Sequence, residues 1–488
     1  KIEKATKENI YFMWLSGQCF PDFRTINNFR GKRLKGNIEV IFKQVVLFLH
    51  EHGFVSLEEV FTDGTKIESV ANRYTFVWKK TTERNKSNLE KKIQAILNEI
   101  DKAILQDNED TSKEMGEQEV EPISSEKLQE KIEQINQKLK SEKVPYRIKQ
   151  KVEKLQKQAL PKLLEYEGHL SILGERKSYS KTDKDATFMR MKEDHMKNGQ
   201  LKPAYNFQLS TEGNFATNFT LHQNPGDTST FISHNNSFHS KYQKYPDRSI
   251  ADGGYGSLEN YDFMEEKQME NFVKFNYFHK EQTKKFQSDI RQPENLYYNE
   301  QEDFFVCPMG QKMKPVGNQK RTSKNGYTYE VAIYQAFNCK GCPLRGACHK
   351  QAGNREIEIN KKLIKHKKKA RENLTSALGL ELRKRRCSEV EQTFGQLKEN
   401  MGFKRFLLRG LPKVTIEIGL LCMAHNVLKL SNMLKKRGFP IALELLLKCN
   451  KVFYAFLEKV IAKTQHVKIQ KEKKKKNMIN FVIFKEAA

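Results

Sequence analysis

Three acidic residues stand in settings where a carboxylate could bind a metal ion. The first is Asp63. Because every second residue of a strand points to the same side, Asp63 shares one face of a predicted strand with Phe61, Thr65 and Ile67. An acid on the apolar face of a strand is costly to bury without a positive partner, and a metal ion would supply that charge.

The second acid, Asp252, ends a short predicted strand. Gly253 and Gly254 follow it and let the backbone turn sharply. This arrangement presents a carboxylate at a sheet edge, although an ordinary turn residue fits the same pattern.

The third acid, Glu391, lies beside an apolar stripe of a predicted helix. The stripe consists of Val390, Phe394 and Leu397, which recur at helical spacing. Lys398 falls on the same helix edge as Glu391, so a carboxylate and an ammonium would flank whatever the stripe packs on. Taken alone, this pair fits a solvated face better, since exposed Glu-Lys pairs are common.

Cysteines provide a second candidate site. Four of them, including a Cys-x2-Cys pair, have the spacing of metal ligands. These four are Cys307, Cys339, Cys342 and Cys348. Four thiolates suit a closed, tetrahedral, structural zinc site. An iron–sulfur cluster or four unligated thiols are the alternatives, and His349 could replace one ligand. The remaining cysteines are expected to be small buried residues: Cys19, Cys387, Cys422 and Cys449.

The net charge of the chain indicates what kind of partner it binds. The 488 residues carry 87 Lys and Arg against 60 Asp and Glu, a net charge of +27, which favours a polyanion such as DNA. No apolar run approaches the ~18 residues of a membrane-spanning helix, so a membrane partner is not expected. The first residue is Lys1, so we expect an N-terminal piece to be missing. There is no signal peptide pattern, and we predict a reducing cytoplasm.

Basic residues cluster around Glu391. Lys361 to Arg371 form one dense cluster, Arg385 and Arg386 precede the glutamate, and a third group follows it among aromatic residues. Members of the third group are Lys404, Arg405 and Arg409. These side chains could hold phosphates, although basic runs are more often solvated faces.

Composition shifts divide the chain into seven predicted regions. They are a helical, possibly DNA-binding region (1–54), first core strands (55–84), a coiled-coil-like helical insertion (85–175), core strands and a helix (176–300), a cysteine insertion (301–355), core helices (356–445), and a C-terminal helix with a Lys-rich tail (446–488). An acidic, disordered link is expected from Gln106 to Glu121. On either side of it, heptad spacing predicts two antiparallel helices, with apolar positions Leu89, Ile93, Ile96 and Ile100 and then Leu128, Ile132, Ile135 and Leu139. Hairpins are expected at 204–222 and around 327–337, and one more strand at 272–278.

The acidic motifs resemble those of DDE transposases from bacterial insertion sequences. The motifs are Asp63 in Thr-Asp-Gly-Thr-Lys-Ile-Glu, Asp252 in Ala-Asp-Gly-Gly-Tyr-Gly, and Glu391 in Val-Glu-Gln-Thr-Phe-Gly-Gln-Leu-Lys. The cysteine cluster before the glutamate and the run from Gly402 to Gly410 are similar to one branch of that group. A Tyr-x2-Arg expected before the glutamate is not clearly present, which leaves Arg385 or Arg386 as candidates.

This resemblance implies an α/β fold: an RNase H-like mixed sheet core, with a helical N-terminal region, a helical arm insertion and a zinc-knuckle insertion. It implies DNA cleavage and joining at element ends, with a homodimer in the synaptic complex and a nucleoid location. Two Mg²⁺ or Mn²⁺ ions roughly 3.5–4 Å apart suit such chemistry. Asp63 would contact both ions, Asp252 and Glu391 one each, and Lys398 would lie near a phosphate.

Two other functions remain open. A nuclease with the same core would cut DNA without joining it, and an inactive remnant would only bind DNA. The nearby Glu389 is an alternative candidate for the third metal-binding acid. However, it lies on the opposite edge of the apolar stripe from Glu391 and shares that edge with the uncharged Gln396. We therefore expect Asp63, Asp252 and Glu391 to converge while Glu389 points elsewhere.

Overall fold

A computed structural model of the chain describes residues 1–106, 123–141, 146–191, 199–323 and 325–437. The predicted acidic link, Cys449, and the predicted C-terminal region 446–488 lie outside these residues, apart from Gln106, which ends a helix. Region boundaries predicted from composition remain predictions.

Strands in the described residues form three sheets. Their bounds are β1 Glu59–Glu68, β2 Phe76–Trp78, β3 Ser178–Ser180, β4 Thr187–Arg190, β5 Leu201–Glu212, β6 Phe215–His222, β7 Arg248–Ala251, β8 Glu270–Val273, β9 Tyr298–Asn299, β10 Phe304–Val306, β11 Lys312–Thr322, β12 Thr328–Ala336 and β13 Glu356–Ile359.

The largest sheet is mixed, with the order β4-β5-β1-β7-β8 and β6 also paired with β5. Strand β5 is antiparallel to both of its neighbours, β1 and β6, and the turn at Gly213 and Asn214 joins it to β6. Strands β7 and β8 run parallel to β1, as their helical connections allow. A mixed sheet of this kind, covered by helices, fits the predicted RNase H-like fold.

Helices surround this sheet and extend beyond it. Their bounds are α1 Ile2–Glu8, α2 Ile10–Leu15, α3 Phe23–Asn28, α4 Ile38–Glu51, α5 Lys79–Gln106, α6 Ser125–Ser141, α7 Tyr146–Lys154, α8 Leu160–Leu173, α9 Phe231–Tyr242, α10 Leu258–Glu266, α11 Lys284–Gln287, α12 Arg345–Cys348, α13 Lys361–Thr375, α14 Ala377–Arg386, α15 Gln392–Gly395 and α16 Leu411–Arg437. Short π-helical turns continue α3, α7, α14 and α15.

Helices α4 and α16 cover the sheet near β6. Helix α4 buries one side through Ile38, Phe42, Val46 and Leu49, which recur at helical spacing. The Phe42 ring meets Phe219 of β6 edge-on, with centroids 4.8 Å apart. Helices α10, α13 and α14 pack near β7 and β8, so the sheet is covered on both faces.

The region predicted as a helical insertion does form helices. Helices α5 to α8 share an apolar cluster that includes Ile93, Ile100, Leu128 and Ile132, at the predicted heptad positions. Strands β2 and β3 pair with each other and bring the two ends of this helical segment together. Its role as a projecting arm remains a prediction.

The cysteine region contains a separate five-stranded antiparallel sheet in the order β13-β12-β11-β10-β9. Its own small core is formed around Phe305, Met313 and Tyr334. Strands β11 and β12 form the hairpin expected between the first cysteine and the other three.

One predicted strand is shorter than expected. We predicted extended chain from Phe272 to Phe278, but β8 ends at Val273. Tyr277 has a φ of +72°, a left-handed conformation that a strand cannot contain.

The expectation that no segment approaches membrane-spanning length is wrong. Residues Leu411–Lys436 of α16 are long and apolar enough to cross a membrane by length and composition. Our count of uninterrupted apolar runs missed this segment because polar residues punctuate it. One of them, Asn426, is buried and exchanges two hydrogen bonds with the backbone of Ala216 in β6. Helix α16 therefore packs against the core sheet.

Candidate active site

Adjacent parallel strands bring the first two predicted acids together. Thr62 of β1 pairs with Ala251 of β7, so the next residues, Asp63 and Asp252, lie side by side. Asp63 also accepts a hydrogen bond from the N–H of Gly64 at 2.8 Å.

The third predicted acid is carried by the helix α14–α15. Ser376 caps this helix by accepting a hydrogen bond from the N–H of Gly379. The predicted stripe of Val390, Phe394 and Leu397 is buried, and Phe394 packs edge-on against Phe207 of β5. This packing fixes the helix on the sheet.

A π-helical turn, Cys387–Glu391, lies within the helix. Such turns contain one residue more than an α-helical turn and are frequent at functional sites. Here the turn aligns Arg386 with Glu391, which regular helical spacing would not do.

Arg386 joins the three carboxylates. Its guanidinium nitrogens lie 3.8 Å from Asp63 Oδ2, 3.4 Å from Asp252 Oδ2 and 3.5 Å from Glu391 Oε1. Arg386 is buried, and the exposed fractions of the three acids are 15%, 52% and 57% in the same order. The structure thus brings Asp63, Asp252 and Glu391 together around one positive charge.

Electrostatics at Asp252 reflect this arrangement. Burial would raise the pKa of its carboxyl group, but Arg386, the N–H of Gly253 and Lys274 outweigh burial and lower the pKa below its ordinary value. The site therefore favours an ionised carboxylate, the form that binds a cation.

Glu389 has a different environment from Glu391. It is buried, and its Oε2 accepts a hydrogen bond from the backbone N–H of Asn214 at 2.6 Å. The side chain therefore holds the β5–β6 turn against the helix, and its other oxygen, Oε1, lies 3.7 Å from Nη2 of Arg385.

The predicted basic residues have varied partners. Arg385 pairs with Glu59 at 2.9 Å, whereas Arg405 and Arg409 donate to the backbone carbonyls of Ser69 and Val70. Lys404 lies 2.7 Å from Glu399. Lys398, on the π-helical turn Gln396–Asn400, is half-buried. These contacts fix Arg405 and Arg409 just after the end of β1, whereas Arg385 is fixed at its first residue.

A basic cleft beside Asp252 was missed by the sequence analysis. Its volume is about 420 Å³, and its lining includes Lys274, Tyr277, His279 and Lys280. Alternation of aromatic and basic residues between 274 and 280 was a usable signal, but we assigned this run to a strand.

All four predicted zinc ligands line one cavity, of about 20 Å³, together with His349: Cys307, Cys339, Cys342 and Cys348. The two ring nitrogens of His349 are buried and lack a hydrogen-bond partner among the described residues. The guanidinium group of Arg355 donates a hydrogen bond to Cys348 Sγ at 3.0 Å. The backbone N–H of the same residue donates a hydrogen bond to Cys339 Sγ at 3.4 Å. The cavity gathers these thiols and the orphaned imidazole, but no three of their ligand atoms lie within 4.8 Å of one another.

Two cysteines do not behave as predicted. Cys422 is buried as expected, but Cys19 and Cys387 are exposed. Cys387 lies on the outer face of the helix because the apolar stripe, not the thiol, faces the sheet.

Metal-ligand atoms of three side chains lie within 4.8 Å of one another at one place in the described residues: Asp262, Glu265 and His366. Sequence analysis did not identify this group. Asp262 accepts hydrogen bonds from His366 at 2.7 Å and Tyr327 at 2.5 Å, and Lys362 lies 2.8 Å away. Since Lys362 already supplies a positive charge, the contacts serve to join α10, α13 and the cysteine region.

Comparisons with known proteins agree with part of this picture. No curated protein and no solved structure matches the chain. A family model described as the transposase DDE domain matches residues 306–431, which include the four cysteines, Arg386 and Glu391. This match supports the resemblance inferred from the acidic motifs: residues 306–431, with Glu391 among them, are similar to the transposase DDE domain.

Proposed function

We propose that this chain cuts and joins DNA at the ends of an insertion sequence, with Asp63, Asp252 and Glu391 as its catalytic acids. The observation that carries the proposal is the convergence of the three carboxylates on Arg386. The three acids come from distant parts of the sequence, and their negative charges need a positive charge between them.

These carboxylates fit divalent cations. Their oxygens are the hard ligands that Mg²⁺ and Mn²⁺ prefer, and the buried positive charge of Arg386 between them supports this proposal. Asp63 would hold both ions, with Asp252 and Glu391 holding one each. When bound, the ions would activate water or a 3′-hydroxyl and stabilise the leaving oxygen.

DNA would approach from the cleft side of Asp252. Lys274 and Lys280 supply positive charge there, and Tyr277 is 59% exposed beside them. Ammonium groups suit phosphates and an exposed ring suits base stacking. Arg385, Arg405, Arg409, Lys404 and Lys398 would extend this basic surface, with Lys398 near a phosphate.

A structural zinc ion is proposed for the cysteine cavity. Four thiolates would close a tetrahedral site, and His349 could replace one of them. The zinc would hold the cysteine region in shape, away from the reaction.

A homodimer is proposed for the joining step. Two element ends must be held together for joining, and two copies of the chain would supply two active sites. We propose that the reaction takes place in the bacterial cytoplasm at the nucleoid.

An assay with purified protein and labelled element-end DNA in Mg²⁺ or Mn²⁺ tests the proposal. Joined products support a transposase, and cut products without joining indicate a nuclease. A mobility shift without cutting indicates a DNA-binding remnant. The Glu391→Gln variant is the control, because it removes one carboxylate and leaves the basic surface unchanged.

A further inference from the structure

A fourth carboxylate, Asp227, lies against the segments that carry the first two catalytic acids. It comes from the loop between β6 and α9, which the acidic motifs do not include. Its Oδ1 accepts hydrogen bonds from the side-chain amides of Asn206 at 2.8 Å and Gln208 at 2.9 Å. Both amides belong to β5 and are fully buried.

On one side, Asp227 and Gln208 cover Gly64, the residue after Asp63. A Cβ atom on Gly64 would lie 2.3 Å from Gln208 Nε2 and 2.6 Å from Asp227 Oδ1. Gly64 does not have a positive φ, so the glycine is needed for space and not for its conformation. The two side chains therefore fill the space beside the backbone of Asp63.

On the other side, Asp227 adjoins the turn that follows Asp252. Its Oδ2 lies 3.9 Å from the position of a Cβ atom on Gly254. The neighbouring Thr228 donates a hydrogen bond to the carbonyl of Gly254 at 2.6 Å. Asp227 and Thr228 thus contact the chain two residues after the second acid.

Gln208 completes the connection. Its Oε1 accepts a hydrogen bond from the hydroxyl of Tyr255 at 2.5 Å, while its amide donates to Asp227. Tyr255 is buried and belongs to the same turn as Gly254. A buried, fully paired network of this kind fixes positions more firmly than separate contacts do.

We infer that Asp227 is a positioning residue, which bridges the backbone beside Asp63 and the turn after Asp252 and so sets the spacing of these two metal-binding acids. This inference rests on the proposed function. Asp227 would act through its hydrogen bonds: an asparagine could keep both of them, whereas an alanine keeps neither.

The test compares Asp227→Ala and Asp227→Asn with the wild type. Mn²⁺ binding is followed by the loss of the electron paramagnetic resonance signal of free Mn²⁺, alongside DNA cleavage and the thermal midpoint. We expect the alanine variant to bind Mn²⁺ at least tenfold more weakly and to recover part of its cleavage at higher Mn²⁺. The asparagine variant should stay within about threefold of the wild type in both measurements.

Asp247→Ala is the matched control, since this exposed carboxylate lies at the opposite end of β7 from Asp252. It should match the wild type. Gly64→Ala tests the same contact from the other side and replaces Asp227→Ala if the latter does not fold. It should weaken Mn²⁺ binding similarly.

Wild-type Mn²⁺ binding in Asp227→Ala and Gly64→Ala would overturn the inference. Equal losses in Asp227→Asn and Asp227→Ala would also overturn it, because they would show that charge matters and not the bridge. Failure of the wild type to bind Mn²⁺ or cut DNA would instead contradict the proposed function.

Discussion

Nη1 of Arg386 lies 3.5 Å from Oε1 of Glu391, five residues later on the same helix. In a regular α-helix, residues five apart point about 140° away from each other, at about 100° per residue. The π-helical turn Cys387–Glu391 absorbs the extra residue and puts both side chains on one side. The helix thus carries both the third acid and the charge that neutralises the acids.

Glu391→Gln should abolish DNA cleavage and leave DNA binding almost unchanged. Removing one charged ligand weakens metal binding, whereas the basic surface remains. Glu389→Gln should keep cleavage and cost less than about 1 kcal/mol of folding free energy, because glutamine can still accept the N–H of Asn214 and only the ion pair with Arg385 is lost. Cleavage assays, mobility shifts and urea unfolding of both variants check this. Retained cleavage in Glu391→Gln with loss in Glu389→Gln would reverse the assignment.

Arg386→Gln should destabilise the protein in the presence of a chelator more than in Mn²⁺. Without Arg386 three carboxylates repel one another, and bound cations relieve the repulsion. The difference should be about 1 kcal/mol, since Asp252 and Glu391 are half exposed to water. Arg385→Gln, which loses the pair with Glu59, should show no such dependence on Mn²⁺. Equal behaviour of the two variants in a thermal-shift assay would contradict the prediction.

The cysteine region should bind one zinc ion per chain. Cys342→Ser should lose the zinc, as measured by elemental analysis, whereas Cys387→Ser should retain it because Cys387 is exposed on the helix. Thiol labelling should increase in the first variant only. Full zinc content in Cys342→Ser would refute a site that needs this thiol.

Acid should loosen the contact between the cysteine-region sheet and α13. Hydrogen bonds from Tyr334, Tyr298 and Lys361 lower the pKa of Asp303 to about 2. Because this folded-state value lies below the ordinary 3.8, the stabilisation is present above about pH 4 and is lost as pH falls towards 2. Asp303→Asn should remove this dependence, as seen by hydrogen exchange of β12. An unchanged acid response in the variant would disprove it.

Asn426→Ala should cost about 1–3 kcal/mol of unfolding free energy. It would leave the backbone N–H and carbonyl of Ala216 unpaired in the core beneath α16. Urea unfolding measures the loss, with Asn432→Ala, on the rim of an open cleft along the same helix, as the control. Equal stability of the two variants would show that α16 is not anchored through this contact.

Much of the fold was readable from local patterns. Period-2 alternation located β1, the turn after Glu212 located the hairpin, and heptads located the helices after Lys79. The convergence of Asp63 and Asp252 was expected from the family resemblance. The strand order was not predicted, because no local pattern encodes pairing between distant strands.

The site was only partly readable. Arg386 was one of two candidates, because α-helical spacing does not show that a π-helical turn aligns it with Glu391. Asp227 and the Asp262 cluster depend on contacts between distant segments and have no motif. The basic cleft was not predicted, because the residues around Tyr277 were assigned to a strand. The positive φ of Tyr277, which ends the extended chain there, could not be inferred from the sequence.

The placement of Glu391 also has a consequence for protein synthesis. Asp63 and Asp252 are on neighbouring strands, but the helix with the third acid follows the whole cysteine region. At about 5–20 residues per second, a ribosome needs roughly 7–28 seconds to pass from Asp252 to Glu391. During that interval the nascent chain holds two of the three acids, so under the proposed function it would not yet cut DNA. Under the same proposal, a message truncated before the helix would encode a protein that lacks the third acid and has no nuclease activity.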